Sequence, residues 1–210
     1  IGRSVNIDWI DSETFNGNLN QLDNFDGVLV PGGFGTRGSE GIIDTATYTL
    51  EKNIPYLGIC FGFQLAAIAF GRKICNLENA NSTEIIADTK NPIIDLLPEQ
   101  KDETDMGGSL RLGANEIKIN QDSLAYKIYN SDKIFKRHRH RYEFNTNYRD
   151  EFLKKGMIFS GESDNGKRME ILEIPTHKFF LGVQFHPEFN SRPGFPEDVF
   201  KTFVTAASQN

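Results

Sequence analysis

The sequence predicts an α/β fold, with three layers in which a mostly parallel central sheet carries helices on both faces. Three observations carry that expectation. Strand-like and helix-like segments alternate through the first third of the chain, the order that builds parallel sheets. Short apolar runs end at Gly and Pro, as strands buried on both faces do. The segment from Phe61 to Gly71 has helical character and is apolar on nearly every side, which places it in the interior. The 210 residues suffice for one substantial core.

Taken in order, Val5 to Trp9 reads as an exposed strand. Gly27 to Val30 reads as a parallel strand buried on both faces, stopping at Pro31-Gly32-Gly33. Gly41 to Lys52 reads as a helix, and Ile54 to Ile59 as the next strand. Asn79 to Asn120 is more polar and reads as an excursion with short β-like pieces around Gly107-Gly108. Gly156 to Ser160, Arg168 to Glu173 and Lys178 to Phe185 are strand-like. A last helix runs from Pro196 to Ala206, with Pro in its first turn. A doubly wound sheet ordinarily opens with a buried strand and helix ahead of these elements, so a fragment is expected.

Composition excludes several function classes. At 38% hydrophobic and 25% charged residues the chain is ordinary for a soluble globular domain. Its net charge of -6 gives no general attraction to nucleic acid or to an anionic membrane. No apolar run approaches the ~20 residues that span a bilayer, and Ile1 to Ser4 do not resemble the start of a secretory signal. Two cysteines are too few for a disulfide framework, so a reducing, cytoplasmic setting is expected.

The sharpest local signal is Gly58-Ile59-Cys60-Phe61-Gly62-Phe63-Gln64. A strand runs into Cys60 and a helix leaves it, with glycines two residues before and after. This is the pattern of a nucleophile elbow with Cys in place of Ser. It presents the thiol at the C-terminal edge of the sheet, where α/β folds place ligands, and at a helix N-terminus whose partial positive charge favours a thiolate. The bland alternative is a small buried core cysteine. Cys75 has no such context and is expected to be structural.

A thiolate attacking a carbonyl needs a base, and the base an orienting group. His186 follows the apolar strand 179–185 and precedes Pro187-Glu188. In an extended segment residues i and i+2 point the same way, so Glu188 can hold the ring as the acidic member of a triad. Pro31-Gly32-Gly33-Phe34-Gly35 offers backbone N–H groups for an oxyanion hole, joined by the Phe61 N–H. It matches neither a P-loop nor a dinucleotide fingerprint. Arg137 to Glu143 reads as a strand with Arg137, Arg139 and Arg141 on one face and His138 and His140 on the other. Its arginines can grip a substrate carboxylate or dock an anionic partner. None of the histidine or cysteine spacings is that of a tetrahedral metal site.

Together these motifs resemble the class I glutamine amidotransferases. Five segments narrow the resemblance to the C-terminal glutaminase domain of CTP synthases: 32–38, 80–84, 107–113, 137–145 and 184–193. The arginine-histidine run is the most discriminating. The resemblance implies one amidotransferase domain over 1–210, hydrolysing glutamine through a catalytic triad of Cys60, His186 and Glu188. It implies that glutamine is held by Gly33, Phe61, Gly62, Phe63, Gln64, Glu84 and Arg141, with Gly33 and Phe61 as the oxyanion hole. It implies a GTP-responsive lid including Ser109 and Arg111. It further implies L-glutamine as substrate, an N-terminal synthetase domain of the same polypeptide carrying ATP, Mg and UTP, GTP as allosteric effector, and a homotetramer for the full enzyme. Phe61 and Phe63 stand where the family usually has Leu and Met, and Ser109-Leu110 where it has Thr-Met. A γ-glutamyl peptide hydrolase and a non-catalytic binding module of the same fold are the alternatives.

Overall fold

A computed structural model describes residues 2, 4–13, 18–96 and 110–209. Among them, seven strands form one sheet: β1 (Val28–Val30), β2 (Tyr56–Ile59), β5 (Arg111–Ile119), β6 (Lys133–His140), β8 (Ile158–Ser163), β9 (Arg168–Glu173) and β10 (Phe180–Val183), in the order β1-β2-β10-β9-β8-β5-β6. A second sheet has the order β3 (Ala80–Ser82), β4 (Asn91–Asp95), β7 (Glu143–Phe144).

The expected α/β class and layering are present, but the sheet is mixed. Only β1, β2 and β10 run parallel; β9, β8, β5 and β6 follow antiparallel. Helix α1 (Ser39–Lys52) is the crossover between the parallel neighbours β1 and β2, whereas α2 (Phe61–Lys73) leads from β2 to β3 of the small sheet; β10 follows β9 without a helix, antiparallel to it and so parallel to β2. Strand β1 also departs from expectation. It lies at the sheet edge with Leu29 exposed, so β2 and β10, buried at every residue, are the doubly covered strands. Val5 to Trp9 forms no strand, and its apolar side chains are exposed. The segment Gly107-Gly108 lies outside the described residues.

Alternation along β2 and β10 divides the interior. Tyr56 and Phe180 join the core under α1 and α2, which Phe152 of α4 (Arg149–Lys154) completes. Leu57, Ile59, Leu181 and Val183 face the opposite core, closed by α3 (Leu124–Tyr129) and α5 (Asp198–Ala207) through Ala125, Val199 and Phe203. That gives the three layers.

The α2 face of the sheet is paved with small residues in register. Val30, Gly58 and Gly182 are neighbours across β1, β2 and β10. A Cβ on Gly58 would stand 2.6 Å from the carbonyl group of Gly62, and one on Gly62 would stand 2.5 Å from the Val30 carbonyl oxygen. No side chain fits at either position, so the first turn of α2 lies directly on the strand ends. The buried Tyr56 hydroxyl donates to the Gly62 carbonyl at 2.9 Å and fastens that turn.

Candidate active site

Cys60 stands between β2 and α2 with φ 51° and ψ -95°, a sparsely populated conformation for a residue with a Cβ, of the kind that clusters at functional sites. Its amide donates to the Val183 carbonyl at 2.7 Å, so the cysteine is tied to the end of β10. The elbow predicted from the two glycines is therefore present, and its strain falls on the cysteine itself.

Beyond β10 the chain bends at Gln184 and Phe185 and is held by two backbone hydrogen bonds. The Gln184 amide donates to the Glu170 carbonyl at 2.8 Å and the His186 amide to the Arg137 carbonyl at 2.9 Å. This holds the His186 ring beside Cys60. A Cβ on Gly32 would lie 2.9 Å from His186 Cε1 and 3.8 Å from Cys60 Cβ, so the glycine loop after β1 covers the place where histidine and cysteine meet. His186 Nδ1 bonds the Glu188 carboxylate at 2.6 Å. The contact predicted from the i, i+2 spacing is made, but through a 3-10 turn over Pro187–Asn190 rather than an extended segment. Nε2 is buried and, among the described residues, outside hydrogen-bond geometry with any acceptor; such bonds tighten when substrate binds. Burial works against an imidazolium here, yet interaction with Cys60 and the hydrogen bond and charge of Glu188 outweigh it, and the His186 pKa is raised to about 10. Phe189, to which the sequence assigns no role, stacks on the His186 ring with centroids 5.0 Å apart.

The other wall of the site comes from the small sheet. Strand β3 runs parallel to β4 and β7 antiparallel to it, so the residues just after β3 and just before β7 emerge at one edge. These are Glu84 and Arg141. The Gly35 amide of the glycine loop donates to Glu84 Oε1 at 3.0 Å. Burial raises the Glu84 pKa, while that hydrogen bond and the nearby positive charge of Arg141 pull it down. Two short strands from the polar excursion, β3 and β4, thus pair with β7 in the sheet that sets a carboxylate and a guanidinium at one edge.

The residues after Cys60 divide by role. The Phe61 amide is in the first turn of α2, where an N–H has no intrahelical partner, and Gly33 lies against the Phe61 ring, to which a Cβ would come within 3.3 Å. Gly62 and Phe63 are buried and turned into the fold, with Phe63 in the core against Gly182. The Gln64 side chain is buried, with its amide donating to the Tyr142 carbonyl at 2.8 Å and to Gln184 Oε1 at 3.3 Å. As placed, these three support the site from behind.

The predicted alternation in the arginine-histidine run holds as far as His140, where β6 ends; Arg141 lies half-buried in a bend and Glu143 opens β7 of the other sheet. His138 and His140 are buried, and Arg137 and Arg139 are exposed. His138 Nδ1 and His140 Nε2 lie 3.0 Å apart. Burial, with Arg111, His186 and Arg168 adding positive charge, lowers the His138 pKa to about 3. Burial and the same kind of neighbours lower His140 well below its ordinary value. Arg111 is not displayed on the surface; it forms a buried ion pair with Glu170 and donates to Ser163 Oγ at 3.0 Å. Ser109, its partner in the expected lid, lies outside the described residues. Burial, with Glu151 adding negative charge, pushes the Cys75 thiol up to about 11, consistent with a structural cysteine. Among the described residues no group of three or more His, Cys, Asp or Glu side chains is arranged to hold a metal ion, and no helix is long and apolar enough to cross a membrane.

Comparison with known proteins adds to this geometry. The family model for glutamine amidotransferase class-I matches residues 1–206. The chain is 52% identical over 210 residues to a CTP synthase of Archaeoglobus fulgidus, covering 98% of this chain and 39% of that protein. It is 53% identical to a CTP synthase of Halalkalibacterium halodurans, covering 97% of this chain and 38% of that one. It thus spans about two fifths of the length of these relatives. Among solved structures, the glutaminase domain of Trypanosoma brucei CTPS with bound acivicin superposes with a TM-score of 0.92 at 36% identity, covering 99% of this chain and 82% of that one. A Thermoplasma acidophilum structure described as a putative GMP synthase subunit, with a TM-score of 0.62 and 17% identity over 93% of this chain and 79% of that one, shares the fold. The chain belongs to the class I glutamine amidotransferase family, in the branch formed by the glutaminase domains of CTP synthases.

Proposed function

We propose that the domain hydrolyses L-glutamine to glutamate and ammonia through Cys60, His186 and Glu188. The observation that carries this reading is the strained Cys60 at the end of β2, beside a buried His186 Nε2 whose ring is oriented through Nδ1 by Glu188. The Cys60 sulfur attacks the side-chain amide carbon, and an S–C bond forms. The Gly33 and Phe61 N–H groups face the oxygen that gains charge. The C–N bond then breaks, and His186 gives its proton to the departing ammonia. His186 next takes a proton from water, which adds to the thioester carbon. The C–S bond breaks, the electron pair returns to sulfur, and glutamate leaves. Glu84 meets the substrate ammonium and Arg141 its carboxylate. Phe61 contributes its backbone, while Gly62, Phe63 and Gln64 keep these groups in place.

In the whole enzyme the ammonia passes to a synthetase domain of the same polypeptide that binds ATP, Mg and UTP and makes CTP, within a cytoplasmic homotetramer. GTP acts through the lid segment from Ser109 to Gly113. The support is the identity to CTP synthases over nearly all of this chain.

The test compares glutamine hydrolysis by the wild type and by Cys60→Ala, both supplied with the synthetase portion. Loss of essentially all activity is expected, since removing one triad member costs on the order of 10⁴-fold or more. Equal rates overturn the assignment. Turnover of γ-glutamyl peptides with none of glutamine would point instead to a peptide hydrolase.

A further inference from the structure

The nucleophile has a second polar neighbour. Gln184 Nε2 donates to Cys60 Sγ at 3.7 Å, and its side chain is buried. The orientation of this amide follows from its surroundings. The Tyr142 carbonyl can only accept, so the Gln64 side chain must turn its NH2 group toward it, at 2.8 Å. The other hydrogen of that NH2 reaches Gln184 Oε1 at 3.3 Å. With its oxygen so occupied, Gln184 turns its own NH2 to the sulfur. Flipping Gln64 sets its oxygen against the Tyr142 carbonyl, and flipping Gln184 sets its NH2 against the NH2 of Gln64; in a buried place either mismatch is costly. Gln64 and Gln184 are both nearly inaccessible, at 3% and 1% exposure, so water does not compete.

We propose that Gln184 is a further catalytic residue, a neutral hydrogen-bond donor to the Cys60 sulfur held in its donating orientation by Gln64 and the Tyr142 carbonyl. This rests on the reading of Cys60 as nucleophile. An amide cannot take up the thiol proton, so Gln184 does not compete with His186 as base. It acts wherever sulfur carries charge: before attack, and again when the thioester C–S bond breaks and the electron pair returns to sulfur. The relay also starts one residue from Arg141, so the segment that grips the substrate carboxylate and the sulfur are joined by two side chains.

The experiment uses the chain supplied with its synthetase portion and compares wild type with Gln184→Met, close in length and without a donor. Alkylation of Cys60 by iodoacetamide is followed against pH by peptide mass spectrometry, with Cys75 as internal reference, alongside steady-state glutamine hydrolysis. In the variant, the alkylation profile is expected to move to higher pH by about one unit, and kcat to fall about tenfold with KM changed less than about twofold, because Gln184 meets the sulfur and not the bound glutamine. Gln64→Leu, which frees the Gln184 amide, is expected to give part of the same shift, and the double variant no more than Gln184→Met alone. Should Gln184→Met not fold, Gln184→Glu carries the test. It keeps length and the acceptor for Gln64 but sets a charge against the sulfur, so a larger alkaline shift is expected. An unmoved profile with unchanged kcat overturns the role of Gln184 alone. A wild-type Cys60 that reacts no faster than Cys75, with no glutamine turnover, overturns the nucleophile reading beneath it.

Discussion

At the scale of single residues, the site depends on how few positions a histidine ring is allowed. Glu188 takes Nδ1, Phe189 lies on the ring face, and the missing side chain of Gly32 makes room for the ring edge at Cε1. His186 is held above the ordinary histidine value, at about 10, so its charged form spans neutral pH. The stability it adds is complete below about 6.5, the unfolded value, and is lost as pH rises through 10. Glu188→Gln removes the charge while keeping an acceptor. The His186 titration, followed by the NMR shift of its Cε1 proton, is then expected to move to lower pH, with kcat for glutamine falling about 10²-fold or more. A midpoint unmoved from the wild type would show that Glu188 does not set the charge of the ring. The cysteine, the histidine and their acid were legible in sequence because each sits in a short pattern with its own backbone signature. Gln184 was not, because a buried glutamine leaves no local trace; its neighbours Gln64 and Tyr142 are distant in the chain.

Elements explain what the pattern of residues could not. Strands β2 and β10 were readable as continuous apolar runs, and α2 as a helix apolar all round. Strand β5 was missed because Arg111 to Ile119 mixes charged and apolar residues over two different environments, half-exposed at its start and buried at Ile117 and Ile119. The small sheet was missed because its strands are only two to five residues long, too short for an alternating pattern to show. Arg111 shows the consequence. The family resemblance implies a place for it in a lid, yet β5 carries its guanidinium inward to Glu170, whose side chain is wholly buried. Arg111→Met leaves that carboxylate without its cation, and breaking a buried pair from one side costs about 3–5 kcal/mol. Urea unfolding is expected to show a loss of that order, partly recovered in Arg111→Met with Glu170→Gln. A loss below about 1 kcal/mol would mean that the pair contributes little to holding β5 against β9.

For the whole molecule, two buried histidines set the acid limit. His138 and His140 stay neutral in the fold to well below 6.5, whereas the unfolded chain protonates them near that value. Between about 6.5 and 3 the unfolded state therefore binds more protons, and stability falls as pH falls, approaching about 1.4 kcal/mol per pH unit for each histidine. Glu143 works in the opposite sense. Burial, against the pull of Arg168 and Arg111, holds it up to about 7, so the fold keeps a proton that the unfolded chain loses, and this contribution disappears as pH rises from 4.5 through 7. Two histidines outweigh one carboxyl below pH 6. Unfolding midpoints measured from pH 7 to 4 are expected to fall, and His138→Gln to flatten the slope; an equal slope in the variant would exclude His138 as a source. The overall class was legible because strand–helix alternation is a long-range signal. The mixed pairing was not, because direction depends on connections whose lengths and paths no local pattern reports.

The positive φ of Cys60 has a consequence for stability as well. A backbone of this shape suits glycine better than any residue with a Cβ, so the elbow is a point where the most comfortable residue for the fold and the one the proposed reaction needs differ. Selection for stability alone would drift toward glycine there and lose the thiol. A cysteine in so costly a posture is therefore a candidate for work, and the candidate can be recognised from the backbone before any chemistry is considered.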